Sequence, residues 1–324
     1  MESHAKQFGR IGILMGGYSS EREISLKSGK AIDEALNRQG FDVIPLDIID
    51  KEEGKITSFI REAGLDLAFI ALHGHLGEDG TIQSILEELE IPYAGSGVAA
   101  SRLALDKAAA QDLFRRNNIR VPPYVTFLKQ NESWDRVLVH ELDFFPVVVK
   151  PACEGSSIGI SLVRDPESME EALQKAWQYG EKILVEQYIQ GREMTVGILG
   201  RRALPVVEIM PRREFFDFTA KYSQGMSDYI VPAQIPDALA LRLQETALKA
   251  HRLLGCEDIS RADFILAPDG VHYILEVNTV PGFTSTSLLP KAAKQIGIEF
   301  DSLCVRLVEL AYGKKKKTKY IASK

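Results

Sequence analysis

The stretch SRADFILAPDGVHYILEVN, residues 260–278, has the features of a β-hairpin. Two runs rich in β-branched and aromatic residues flank the turn APDG, in which proline fixes φ and glycine accepts a positive φ. A hairpin symmetric about these four residues would place Arg261 opposite Glu276 and Asp263 opposite Ile274. Side-chain alternation along each strand then decides which residues share a face.

Four polar residues of this hairpin are predicted to share one face, namely Arg261, Asp263, Glu276 and Asn278. The other face receives mostly apolar side chains: Ala262, Phe264, Leu266, Tyr273, Leu275 and Val277. Carboxylate and amide oxygens are hard donors that suit Mg²⁺, with phosphate oxygens completing its shell. A solvent-facing strand pair with one Arg–Glu ion pair explains the pattern equally well.

The composition predicts an ordinary globular protein of two or three domains, with 324 residues, 45% of them hydrophobic and 26% charged. The net charge is −6, although residues 314–324 hold six lysines and no acids. An acidic body argues against nucleic acid as the main partner, and we interpret the lysine-rich end as a solvated tail. Three separated cysteines favour a reducing cytoplasm. No apolar run reaches the roughly 18 residues of a membrane span.

The order of apolar runs predicts three consecutive domains. In residues 1–97, the runs RIGILMGG, DVIPLDI and LDLAFIAL indicate buried strands, and EISLKSGKAIDEALNRQG and TIQSILEELE indicate amphipathic helices. This alternation is typical of a parallel α/β sheet with helices on both faces and ligands at the strand carboxyl ends. Residues 98–185 start with a helix near 101–117 and continue as a small α+β unit. Residues 186–313 are strand-rich, with a helix at about 236–254.

Four further segments carry candidate site residues. In KPACEGSSIG, Lys150 ends an apolar run and precedes small residues, a pattern that can hold phosphate but also fits a flexible hairpin tip. In LHGHLGEDGT, His73 follows a strand, where ligands bind, although a helix-capping loop has the same pattern. Glu186 and Glu193 flank a glycine and could accept from adenine or ribose, or be solvated. MGGYSSEREIS lacks G-x-G-x-x-G, so an NAD-type fold is poorly supported, and Glu21 suits a helix N-terminus.

Taken together and in order, eight motifs are far more specific than any one of them. They are GGYSSEREISLKSG, LHGHLGEDGTIQ, LDK, KPACEGSSIG, EQYIQGREMTVGIL, AKY, SRADF and LEVNTVPGFTSTS. The chain closely resembles the D-alanine–D-alanine ligase family of ATP-grasp enzymes over about residues 8–312. The resemblance implies an ATP-grasp fold with a Rossmann-like first domain, ATP and two Mg²⁺ or Mn²⁺ ions, D-alanine as substrate, and a cytoplasmic homodimer.

The resemblance also implies roles for individual residues. The residues that match ATP contacts are Lys107, Lys150, Ser156, Ser157, Glu186, Glu193 and Lys221. The metal ligands match Asp263, Glu276 and Asn278. A trio that holds the first D-alanine and a mobile lid at about 212–230 matches Glu21, Ser156 and Tyr222, with His73 nearby. Arg261 and the Gly282 N–H match the oxyanion stabilisers, and Ser287 the residue that holds the second carboxylate.

The implied reaction activates one D-alanine as an acyl phosphate, which the amine of a second D-alanine then attacks. Two alternatives remain: another ATP-grasp ligase, for example one that forms D-alanyl-D-lactate, or a catalytically silent nucleotide-binding protein. Tyr222 resembles the dipeptide-forming members. His75 and Leu76 stand where the family often has small or basic residues, and we predict no consequence for that difference.

Overall fold

The computed structural model describes residues 5–129, 145–211 and 227–322. In the last helix, side chains are described only as far as Lys314. A parallel sheet of order β2-β1-β3-β4 comes first, built from β1 Arg10–Gly16, β2 Asp42–Ile48, β3 Leu67–Ile70 and β4 Tyr93–Ala94. Its helices are α1 Arg22–Arg38, α2 Glu53–Glu62 and α3 Thr81–Glu88. Ile11 and Ile13 of β1 enter one apolar core and Leu14 another, so both faces are covered, as predicted.

Helix α2 is an element that the sequence analysis did not predict. Only Ile56, Thr57 and Ile60 of its ten residues are buried. Such a narrow apolar stripe leaves a weak periodic signal, and the helix is stabilised by the core that it covers.

A small antiparallel sheet of order β5-β8-β6-β7 follows. Its strands are β5 Tyr124–Leu128, β6 Val147–Pro151, β7 Ser161–Val163 and β8 Lys182–Gln187. A 3₁₀ turn at Pro166–Ser168 leads into helix α6 Met169–Ala176, which packs on this sheet. Strand β6 is buried along its whole length and delivers Lys150 to the start of the predicted phosphate-holding loop.

The predicted helix at 101–117 is two helices, α4 Val98–Leu105 and α5 Lys107–Arg116. Asp106 separates them because its carboxylate accepts the Ala109 N–H at 3.1 Å and caps α5. The same carboxylate accepts from Lys182 Nζ at 2.5 Å. An N-cap in extended conformation interrupts the helical hydrogen bonds, and it places Lys107 at the first position of α5.

The third sheet is antiparallel, of order β12-β11-β9-β13-β14, with β10 paired to β9. Its strands are β9 Arg192–Leu199, β10 Arg202–Ala203, β11 Val207–Pro211, β12 Ser227–Ile230, β13 Ile259–Leu266 and β14 His272–Asn278. Helix α7 Asp237–Leu253 packs on it, close to the predicted bounds. The helices α4 and α5 share this core, in which Ala104 and Phe114 cluster with Met194 and Phe264.

The register predicted for the β13–β14 hairpin is wrong. Asp263 pairs with Glu276 rather than Ile274, and Arg261 pairs with Asn278 rather than Glu276. The Ala267 N–H donates to the Val271 carbonyl, which shifts the inner pairs by one residue. An irregularity between Asp263 and Phe264 then inserts one extra residue in β14.

The extra residue is Leu275, and it preserves the predicted polar face. Directly opposed residues of an antiparallel pair share a face, so Asp263 and Glu276 still point the same way. The predicted apolar face is wrong for Tyr273, which pairs with Ile265, and for Leu275 itself. Ile274 takes their place and is fully buried opposite Phe264.

The end of the chain returns to the first sheet through α8 Leu288–Lys294 and α9 Phe300–Ala322. Leu303 and Leu307 of α9 share the core of Phe8 and Ile11. Lys314, which we predicted to be part of a solvated tail, instead bonds the Gly95 carbonyl at 2.7 Å and pairs with Glu257 and Asp258, each at 2.8 Å. The domain limits given above stay predictions. In the described residues no helix is long and apolar enough to span a membrane.

Replacement of Phe114 by alanine tests the core shared by α5 and the third sheet. Phe114 is fully buried, so Phe114→Ala should lower the free energy of unfolding by about 3–5 kcal/mol. The matched control is Phe59→Ala in α2, because Phe59 is 44% exposed. Thermal denaturation of both variants measures the difference, and equal losses at the two positions would contradict this core.

Candidate active site

A cavity of about 850 Å³ lies among the three sheets. Every predicted site residue that the structure describes lines it: Glu21, His73, Lys107, Lys150, Ser156, Ser157, Glu186, Glu193, Arg261, Asp263, Glu276, Asn278, Gly282 and Ser287. Lys221, Tyr222 and positions 212–226 of the predicted lid lie outside the described residues. The sequence motifs therefore converge in space, although their individual roles stay predictions.

Two buried lysines enter the cavity already paired with carboxylates. Lys150 Nζ lies 2.5 Å from Glu186 Oε1, and Lys107 Nζ lies 3.2 Å from Glu276 Oε2. Gln111, which the sequence analysis missed, donates to Glu186 Oε2 at 2.9 Å and to the Leu275 carbonyl at 3.2 Å. Burial opposes the charge of Lys107, but the Glu276 carboxylate outweighs it and raises the pKa of Lys107. The lysine therefore stays an ammonium ion, able to contact an anion.

Residues 154–157, named the phosphate loop after their predicted role, lie between β6 and β7 in a strained conformation. Ser156 and Ser157 have φ values of 52° and 59°, in the left-handed region that side chains with a Cβ seldom adopt. Lys107 Nζ donates to the Glu154 carbonyl at 2.5 Å, and the Ser156 hydroxyl donates to the Glu21 carboxylate. These contacts hold the loop from both sides, and its residues line the cavity.

Glu21 reaches the phosphate loop because it stands at the N-terminal end of α1 without capping that helix through its side chain. Its N–H donates to Ser19 Oγ at 3.2 Å, and the Ser19 hydroxyl donates to the His73 carbonyl at 2.8 Å. Ser19 therefore ties together the loops that follow β1 and β3. Both loops leave the carboxyl edge of the parallel sheet, where ligands of such sheets bind.

His73 fixes the turn that follows β14. Its Nδ1 lies 2.9 Å from the Val280 carbonyl, which can only accept, so Nδ1 carries the proton. Its Nε2 then accepts from the Ser28 hydroxyl at 3.2 Å, and Ser28 Oγ accepts the Phe283 N–H at 3.3 Å. Burial lowers the pKa of His73, so the ring is neutral. The turn that contains Gly282 is therefore held at Val280 by the loop after β3 and at Phe283 by helix α1.

Glu78 is a buried acid in this cavity that the sequence analysis did not single out. It accepts the Gly74 N–H at 2.8 Å and the Val280 N–H at 3.3 Å. Burial, and next the charge of Glu21, raises the pKa of Glu78 to about 8. A signal was present in the motif GEDG, because the acid follows a strand end within the same glycine-rich loop as His73.

Asp263, Glu276 and Asn278 form the candidate metal set. Arg261 binds both oxygens of Asp263, at 2.8 and 2.7 Å, and the Thr195 hydroxyl donates to Asp263 Oδ1 at 2.6 Å. Asn278 Nδ2 donates to Asp263 Oδ2 at 3.0 Å, so the amide oxygen of Asn278 is the atom that could bind a metal. Within the described ranges, no group of three or more His, Cys, Asp or Glu residues could hold a metal. Two carboxylates and one amide oxygen nevertheless match the chemistry of a hard divalent cation.

Ser287 and Gly282 lie close together in the cavity wall. A Cβ on Gly282 would lie 3.6 Å from Ser287 Oγ. Ser287 Oγ accepts the Thr284 N–H at 3.0 Å and lies 2.9 Å from the Thr284 hydroxyl. This local network orients the serine hydroxyl beside the turn.

Known proteins resemble both the sequence and the structure. The family models described as D-ala D-ala ligase N-terminus and C-terminus match residues 10–62 and 50–96, and residues 113–309. The D-alanine–D-alanine ligase of Geotalea uraniireducens (strain Rf4) is 47% identical over 303 residues, which cover 93% of this chain and 95% of that protein.

Among solved structures, the D-alanine–D-alanine ligase of Bacillus anthracis complexed with ATP has a TM-score of 0.82 and 30% identity, covering 95% of this chain and 99% of that one. The VanG D-Ala:D-Ser ligase of Enterococcus faecalis has a TM-score of 0.81 and 32% identity, covering 93% and 99%. The ATP-grasp fold and the family predicted from the eight motifs are confirmed. With matches that span nearly its whole length, the chain belongs to the D-alanine–D-alanine ligase family.

Proposed function

We propose that the protein joins two molecules of D-alanine into D-alanyl-D-alanine and converts ATP to ADP and phosphate, for peptidoglycan synthesis. The observation that carries this proposal is the single cavity in which the two lysines, the phosphate loop, Arg261 and the Gly282 turn meet. Phosphoryl transfer and attack on a carbonyl carbon can then occur without release of the intermediate.

In the first step, a carboxylate oxygen of one D-alanine attacks the γ-phosphorus of ATP, and ADP leaves with the bridging oxygen. Such a step depends mainly on positioning and on cations around the phosphate oxygens. Lys107 and Lys150 supply charge, and the hydroxyls and N–H groups of the phosphate loop supply donors. Both Glu193 and Glu186 line the cavity wall; Glu193 suits the ribose hydroxyls, and Glu186 suits an adenine amine.

Asp263, Glu276 and Asn278 would hold Mg²⁺ or Mn²⁺, which neutralises phosphate charge when bound. The protein's own contribution is to keep these donors on one face. Thr195 and Arg261 fix the Asp263 carboxylate, and the Asp263–Glu276 pairing across the hairpin fixes the distance between the two strands.

In the second step, the amine of the other D-alanine attacks the acyl phosphate carbon, phosphate leaves, and the amine loses a proton. Negative charge grows on the carbonyl oxygen, where Arg261 and the Gly282 N–H can stabilise it. Neutral His73 holds the Gly282 turn, and the Ser287 hydroxyl suits the second carboxylate. Acyl phosphates react with water, so closure by the Glu21–Ser156 contact and by a lid at about 212–230 would protect the intermediate.

The main alternative function differs in the second substrate, because the chain is also similar to a D-Ala:D-Ser ligase. We propose D-alanine in both positions because Tyr222 resembles the dipeptide-forming members. The resemblance further supports a homodimer, and the requirement for ATP supports a cytoplasmic location.

An ADP-release assay tests the proposed reaction directly. The purified protein with ATP and Mg²⁺ should release ADP only when D-alanine is added, and D-alanyl-D-alanine should accumulate in equal amount. D-Serine and D-lactate, each supplied with limiting D-alanine across a pH range, identify the second substrate. ATP and Mg²⁺ binding with no turnover of any of these compounds would support a silent nucleotide-binding protein instead.

Replacement of Glu276 by glutamine tests the candidate metal set. Glu276→Gln removes one carboxylate charge, so it should lower kcat by roughly 10²-fold or more and raise the Mg²⁺ concentration for half-maximal rate. The control is Glu245→Gln in α7, since Glu245 is exposed and does not line the cavity. Turnover and Mg²⁺ dependence like those of the wild type would refute the assignment of Glu276.

The contact between Glu21 and Ser156 should couple the N-terminal sheet to the phosphate loop. Glu21→Gln and Ser156→Ala should each lower kcat roughly tenfold or more, because the loop loses one of its attachments. The double variant should be little worse than either single variant, since both remove the same contact. If the loss of kcat in the double variant equals the product of the two single losses, the two residues act independently.

A further inference from the structure

His75 is a second histidine of the LHGHLGEDGT motif, and the proposed reaction does not use it. Contrary to the sequence prediction that this position has no consequence, its ring bridges two parts of the protein. Nε2 lies 2.9 Å from Glu154 Oε1 of the phosphate loop, and Nδ1 lies 3.7 Å from Asp79 Oδ2. His75 therefore connects the loop after β3 to the loop after β6.

The N-terminal side of this bridge is firmly anchored. The Asp79 carboxylate accepts the Leu76 N–H and the Thr81 N–H, each at 2.9 Å, at the start of α3. These bonds fix the carboxylate that faces Nδ1. On the other side, the Glu154 side chain is only 16% exposed, while that of His75 is 46% exposed.

The charge on the ring favours the bridge. The charged groups that face His75 are Asp79, on its own loop, and Glu154, on the phosphate loop, and both are acids. Pairing with these two acids, Asp79 first, raises the pKa of His75 from 6.5 to about 10. At neutral pH the ring is thus a cation between two carboxylates.

The phosphate loop needs such a contact. Two consecutive left-handed residues, Ser156 and Ser157, are held only if their surroundings fix them. Lys107 binds the backbone carbonyl of Glu154 and Glu21 binds Ser156, whereas His75 binds the side chain at the start of the loop. Each of the three contacts restrains a different atom of residues 154–156.

We propose that His75 is a positioning residue for ATP binding. As an imidazolium ion it holds the Glu154 carboxylate against the N-terminal sheet and keeps the phosphate loop closed over the triphosphate. The inference rests on the proposed function only in taking residues 154–157 as the loop that contacts ATP.

ATP binding, measured by calorimetry without D-alanine, tests this role independently of turnover. His75→Gln should weaken ATP binding roughly three- to tenfold, and the KM for ATP should rise by a similar factor while the KM for D-alanine changes little. His75→Arg should restore binding, because its cation can also pair with Glu154. In a Glu154→Gln background, His75→Gln should have little further effect. The control is His272→Gln, since His272 contacts Thr246 and does not line the cavity.

The pH dependence distinguishes charge from shape. The pKa of His75 is raised in the folded protein. The stabilisation that the charged ring gives to the bridge is therefore complete below about pH 6.5 and is lost as the pH rises through about 10. The advantage of the wild type over His75→Gln should disappear near that pH, whereas His75→Arg should keep it.

Two outcomes would overturn the proposal: ATP affinity unchanged in His75→Gln, or equal weakening in His75→Gln and His75→Arg. Absence of D-alanine-dependent turnover in the wild type would contradict the proposed function but leave the binding result intact.

Discussion

The buried ammonium group of Lys107 holds together the parts of the protein that form the cavity. It donates to the Glu154 carbonyl at 2.5 Å and pairs with Glu276 at 3.2 Å. A buried charge without a partner is costly, so helix α5, the phosphate loop and strand β14 must keep these relative positions. Asp106 makes this possible because it ends α4, caps α5 and sets the direction in which Lys107 points.

The N-terminal sheet completes this arrangement from the opposite side. Glu21, after β1, binds Ser156 of the phosphate loop, and His73, after β3, binds the Val280 carbonyl of the turn beyond β14. A parallel sheet gathers the ends of its strands at one edge, so two loops distant in sequence reach the same cavity. The sheet thus places both halves of the proposed reaction, phosphoryl transfer and amine attack, against one surface.

Local patterns predicted most elements, and the eight ordered motifs predicted the family and fourteen of the residues that line the cavity. Two of the misses have non-local causes. Lys314 leaves the predicted tail because its partners, Gly95 and Asp258, are far away in sequence. The carbonyl of the extra residue Leu275 accepts from Gln111 of another helix, and no pattern within the hairpin reports that contact. The polar face was still predicted correctly. The turn shifts the pairing by one residue and the extra residue shifts it by one more, and a total shift of two returns each side chain to its predicted face.

The number of acids in a cavity for ATP needs a physical explanation. The two buried lysines of the cavity each have a carboxylate partner: Lys107 pairs with Glu276, and Lys150 pairs with Glu186. Because Glu276 keeps Lys107 charged in a buried place, and an ammonium ion has three donors, an N–H group of Lys107 remains for a phosphate oxygen beside its contacts to Glu154 and Glu276. The same carboxylates leave the cavity without a strong excess of positive charge. An anion alone then gains less than an anion accompanied by a divalent cation, which can share Glu276 with Lys107. We therefore expect the pairing to favour a phosphate that carries a bound divalent cation over the same phosphate alone.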